Sequence, residues 1–196
     1  MKRTILAPLA ATCVAMAAMV PSLSHAFDGQ LVFTGSITDV SCTINGQQPG
    51  PGNIGKPVPM NPAGEGVPVD PSVFTGIGSK SPDSPFSLVL AGGTACKDGS
   101  KASISFDTSS ANIDPATGNL ILQGNGVAKG VQIMIRDNGN GATGKIALHQ
   151  AQATPQVATI TGNTATLSFV ANYVQTGATF VAGAANSSIR YTMAYY

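Results

Sequence analysis

The sequence predicts an all-β protein, an antiparallel sandwich of short strands. Three observations carry this. Short segments of alternating apolar and polar residues recur along the chain, with turn-forming residues between them. Gly and Pro number 23 and 13, which suits many turns and disfavours long helices. Charged residues make up only 10% of the chain, so few positions could clothe a helix face.

The chain of 196 residues opens with Lys2 and Arg3, an apolar run over 5–20, and the small-residue stretch Ser24, His25, Ala26. This reads as a secretory signal, residues 1–26, removed after Ala26. A short membrane anchor is the other reading. The run is shorter than the roughly 20 residues a span requires, and Pro8 interrupts it. The remaining 170 residues suit one domain with a sizeable core. They carry eight basic and nine acidic residues, with no basic patch for nucleic acid and no charge run for a membrane surface.

The first alternating segment covers 29–37, with Leu31, Phe33, Gly35 and Ile37 on one face. "SCTI" continues as a short strand. Residues 46–71 are rich in Gly and Pro and read as an irregular surface loop inserted in one domain. A linker between two domains is less apt, because only about 20 residues of the exported chain precede it. Strand signals then recur in "PFSLVLAG" (85–92), "ASISFDT" (102–108), "NLILQG" (119–124) and "GVQIMIRD" (130–137). "DNGNG" (137–141) is a turn signal. "KIALHQ" (145–150), "ATLSFVANYVQ" (165–175) and "SSIRYTMAYY" (187–196) complete the set. In the last, Ile189, Tyr191, Met193 and Tyr195 alternate with Ser188, Arg190, Thr192 and Ala194. One face of that strand is meant for a core.

Cys13 leaves with the signal, so Cys42 and Cys96 remain, 54 positions apart. An even pair in an exported chain points to a disulfide. Two lone thiols without a neighbouring His or Cys are a poor metal site, and no cofactor is indicated.

No catalytic constellation stands out. His149, the one histidine of the exported chain, reads as a solvent-facing residue on a strand. No Ser sits in a G-x-S-x-G elbow. Asp70, Asp83, Asp114 and Asp137 lie beside Gly, Pro or Asn and read as turn formers. "GNGVAKG" (124–130) precedes a strand and lacks the helix N-terminus that would hold phosphate.

Four features belong together: the strand-like extension before Cys42 with Gly35, the cysteine pair, "FVANYVQTG" (169–177), and a C-terminus with Gly183 fourteenth from the end and Tyr195 penultimate. With "GSITDVSCTI" and "GVQIMIRD", these resemble the pilin subunits of chaperone–usher fimbriae of the type 1 kind. The resemblance spans nearly the whole exported chain. Two features depart from that pattern. Tyr196 stands where a polar residue is more usual, and the loop 46–71 lengthens the spacing between cysteines.

The resemblance implies an incomplete immunoglobulin-like antiparallel β-sandwich, residues 39–196, that lacks its last strand and is preceded by a donor-strand extension, residues 27–38. It implies that Gly183, Ile189, Tyr191, Met193 and Tyr195 border an open groove. A periplasmic chaperone would fill that groove first. At the outer-membrane usher, the extension of another subunit would replace it, with Leu31, Phe33, Gly35 and Ile37 inserting. The product would be a head-to-tail surface fibre reached through the periplasm. Read from pattern alone, 29–37 could equally be a first strand of the chain's own sheet. Two other function classes compete. A tip adhesin or secreted carbohydrate-binding sandwich would need an added N-terminal domain or exposed aromatic platforms, and the chain has no Trp. A secreted enzyme would need a site that the residues do not supply.

Overall fold

The computed structural model describes residues 42–47, 57–61 and 68–196. The signal 1–26, the extension 27–38 with Leu31, Phe33, Gly35 and Ile37, and much of the loop 46–71 lie outside the described residues.

Among the described residues eight strands form two sheets. They are β1 (Thr43–Ile44), β2 (Ser84–Ala91), β3 (Lys101–Phe106), β4 (Val131–Gly139), β5 (Ala142–Lys145), β6 (Val157–Thr159), β7 (Thr164–Gln175) and β8 (Tyr191–Tyr195). The larger sheet has the order β1-β2-β7-β4-β5, and the smaller β6-β3-β8. Every ladder is antiparallel. The described residues contain no α-helix, only two 3-10 turns, Pro71–Val73 and Gly93–Ala95. This is the all-β antiparallel sandwich that the alternation predicts.

The core forms where the apolar faces of the two sheets meet. β7 contributes Ala165, Leu167, Phe169 and Ala171, and β4 contributes Val131, Ile133 and Ile135. β2 lays Phe86, Leu88 and Leu90 opposite Phe169, Leu167 and Ala165. Phe169 is wholly buried at the centre. Its ring stacks on Phe86 at 5.3 Å and meets the edge of Phe106, from the other sheet, at 6.0 Å. Such aromatic pairs add about 0.5–1.5 kcal/mol beyond area burial. The disulfide between Cys42 and Cys96 is present and both residues are fully buried. It ties the start of two-residue β1 to the turn after β2.

Turn chemistry sets the hairpins. Asn140 and Gly141 join β4 to β5 with φ of 52° and 78°. Gly162 and Asn163 turn the chain into β7 with φ of 59° and 58°. Both are two-residue loops with positive φ at each position, the form whose twist matches the flanking strands.

Several expectations are corrected. "NLILQG" and "KIALHQ" are not strands. Leu120, Leu122, Ile146 and Leu148 are buried, so the alternation is real. Yet Leu120 makes only isolated bridges, to Ile113 and Ile133, and Ile146 donates one backbone bond to Ile135, before the chain turns away. His149 is exposed but sits in a turn, not on a strand. The three-residue β6 gives no periodic signal. Asp70 and Asp114 are turn formers, accepting bonds from the N–H of Ser72 and of Ala116. Asp83 and Asp137 are not. Asp83 pairs with Arg136 at 2.7 Å, and Asp137 lies inside β4.

Candidate functional site

The last strand lies at the rim of the smaller sheet. β8 pairs with β3 alone, in the register Phe106↔Tyr191, Ile104↔Met193 and Ala102↔Tyr195. Its other edge has no strand beside it among the described residues.

The register decides which groups face that edge. Lys101 and Tyr196 exchange both backbone bonds, at 2.7 and 3.0 Å, and Asp107 N–H donates to Arg190 O at 2.9 Å. Hydrogen-bonded pairs alternate along an antiparallel ladder. Residues 190, 192, 194 and 196 therefore bond inward to β3. Tyr191, Met193 and Tyr195 aim their N–H and C=O groups outward, toward the free edge. Their side chains are half-buried and pack on the core, while Thr192 and Ala194 are exposed. One set of residues thus supplies both the apolar wall and the backbone groups that have no strand partner among the described residues. Ile189 extends the set one step before β8 and packs on the same core.

The wall continues into β3. Ala102 and Ile104 are buried beside the strand, and Phe106 is partly buried against Phe169. The sequence alone does not assign these residues to the same wall as β8. Their alternation was visible, but their pairing with β8 was not.

Burial pushes the Tyr191 and Tyr195 hydroxyls above the usual tyrosine range, and for Tyr195 the neighbouring Tyr191 adds to it. The Tyr195 hydroxyl oxygen is buried with no hydrogen-bond partner among the described residues. An unpaired buried hydroxyl costs about 1–3 kcal/mol.

Gly183 lies eight positions before β8, outside the strand. A Cβ there would stand 2.4 Å from Gly126 O and 2.6 Å from Ala128 N. Its role in this structure is close backbone approach between the 126–128 turn and the segment that leads into β8. Ala184 N–H donates to Gly126 O at 2.9 Å, and Ala128 N–H to Ala184 O at 2.8 Å, which locks that approach.

Two polar clusters elsewhere are structural. Asn172, 1% exposed, donates through Nδ2 to Ser81 O and Asp83 Oδ1, at 3.0 and 2.8 Å. The bond from Asn172, then that from Arg136, holds the Asp83 carboxyl below its ordinary range. Gln156, also 1% exposed, donates to Ser168 O and Asp137 Oδ1 and accepts from Ser168 N–H. Burial raises the Asp137 carboxyl, against the bonds from Gln156 and Gln152. Among the described residues no three His, Cys, Asp or Glu gather as metal ligands.

The family described as Type-1 fimbrial protein, A, matches residues 69–196. The F17 fimbrial protein of Escherichia coli is 30% identical over 183 residues, covering 92% of this chain and 94% of its own. The probable major fimbrial subunit LpfA of Escherichia coli O157:H7 is 30% identical over 192 residues, covering 95% and 94%. A solved chaperone–usher pilus structure aligns over 90% of this chain and 100% of its own, with 15% identity and a TM-score of 0.44. The family match and both relatives show that the chain belongs to the type-1 fimbrial protein family and is a structural subunit of a surface fimbria.

Proposed function

We propose that the chain polymerises by strand addition, residues 27–38 of one copy filling the free edge of β8 in another. The observation that carries this is the coincidence on Tyr191, Met193 and Tyr195 of unpaired backbone groups and core-facing side chains. An added strand would satisfy those groups and bury alternate side chains, the recurring logic of β-augmentation. Leu31, Phe33 and Ile37 match the two-residue spacing of the wall. Each large apolar side chain buried contributes about 1.5–3 kcal/mol. Gly35 leaves room where groove and strand come closest. The contact joins unlike surfaces, so it extends into an open filament.

Before assembly, a periplasmic chaperone would cover the same edge, and an outer-membrane usher would be the place of exchange. Family membership supports both, as does the apolar edge of β8, an aggregation hazard if left bare. The role is structural, with no catalysis.

Deletion of 27–35 tests the reading. The shortened chain should fold and accumulate in the periplasm but yield no fibres by electron microscopy. Normal fibres from it would show that the extension is not the donor.

A further inference from the structure

At the end of the sandwich where β8 begins, the surface is unusually apolar. Ile77 is 71% exposed and Val181 50% exposed. They sit on two loops that Gln175, the last residue of β7, holds together. Gly78 N–H donates to Gln175 O at 2.8 Å. Ser79 Oγ donates to Gln175 Oε1 at 3.2 Å, and Gln175 Nε2 donates to Gly177 O at 3.0 Å. Phe74 and Phe180, one from each loop, stack at 4.8 Å. Val181 exchanges backbone bonds with Lys129, at 2.9 and 3.1 Å. The apolar side chains are therefore held outward on a built platform, with exposed Lys80 and Lys129 beside it. Loop tips are ordinarily polar, and a presented apolar patch marks a contact surface.

We propose that this platform is a second subunit contact, packed against the folded body of the copy that donates its strand. The inference rests on the strand-addition reading. Every ladder in the sandwich is antiparallel, so a strand that continues the pattern beside β8 ends where β8 begins. Tyr173 Oη donates to Ala185 O at 2.7 Å, which fixes the segment leading into β8 at the platform's end of the sandwich. Only residues 39–41 separate the donor segment from Cys42, where the donor's body starts. At about 3.5 Å per residue that tether spans on the order of 10–14 Å. The donor's body is thus confined to this end. Asp39 lies in the tether and is the one charged residue between Asp28 and Lys56. Its charge complements the lysines beside the platform. The occupant is therefore a second copy of this chain.

The test uses the full chain with Ile77→Cys or Val181→Cys, the native cysteines being joined to each other. N-ethylmaleimide labelling is compared between assembled fibres and the unassembled subunit from the same cells. Labelling at both positions should be at least about tenfold slower in the fibre, as for a site reached only by local opening. Equal rates in fibres that do form overturn the platform and leave strand addition standing. Equal protection in the unassembled subunit shows that the chain covers its own platform, which also overturns the inference. If the unsubstituted chain makes no fibres, strand addition and the platform fall together.

Discussion

The strands β5 and β8 each pair with one neighbour, β4 and β3 respectively, and each leaves its other edge without a strand among the described residues. Their surfaces differ. β5 is four residues long, mostly exposed, and holds Gly144 at φ 106° and the charged Lys145. A short, polar edge of this kind resists pairing with another chain. β8 has no charged residue, alternates half-buried with exposed positions, and lays two tyrosines and a methionine on the core. β5 carries the features that guard an edge, and β8 lacks them. Closing the sandwich does not by itself require an edge of the second kind.

The largest expected effect breaks this contrast at β8. Met193→Asp removes about 1.5–3 kcal/mol of apolar burial and puts a charge on the core-facing side of β8. Fibre yield by electron microscopy should drop to background. Thr143→Asp on β5 should leave yield and appearance unchanged. Equal losses from both would mean that the two edges do not differ in role.

A third edge sharpens the point. β1 is only two residues long, and the disulfide between Cys42 and Cys96 anchors it. Replacing both cysteines by Ser should lower stability by about 4 kcal/mol, the loop-closure value for the 54-residue separation. Denaturant melts of oxidised and substituted chains measure this. A loss near zero would mean that ladder and core hold β1 unaided.

The smallest effect lies in pH. Tyr191 and Tyr195 have raised values from burial, relative to 10.0. Above pH 10 the unfolded chain releases these protons while the folded chain keeps them. Their stabilising contribution is therefore full below that pH and is lost as pH rises beyond it. Tyr191→Phe should flatten the alkaline limb of Tm against pH, and Thr143→Asp should not. On the acid side, Asp83 and Asp114 have lowered values, so their contribution is present above pH 3.8 and lost as pH falls further. Asp137 is raised and acts in the opposite sense.

Much of this was legible in the sequence. β2, β3, β4, β7 and β8 followed from alternation, and the disulfide from the even cysteine number left once residues 1–26 are read as a signal. Asp137 shows what misled. Its neighbours Asn138, Gly139, Asn140 and Gly141 read as a turn, but the turn needs only Asn140 and Gly141. The strand therefore runs on, and Asp137 shares the inward parity of Val131, Ile133 and Ile135. "NLILQG" and "KIALHQ" mislead otherwise: alternation reports which side chains are buried, not whether a backbone ladder forms. Gly183 was visible as a glycine near the end, but its nearness to the 126–128 turn was not, because that contact spans more than fifty positions.

The alternation of Ile189, Tyr191, Met193 and Tyr195, a local property of side-chain order, by itself determined that the terminal segment is a strand with one apolar face. Only the tertiary structure decided that β3 takes one edge and that no other described strand takes the second. Strand neighbours are chosen by register and by how two sheets close over Phe169, and those are sums over distant residues. The same closure decided that the odd-numbered residues of β8 carry both the wall and the outward backbone groups.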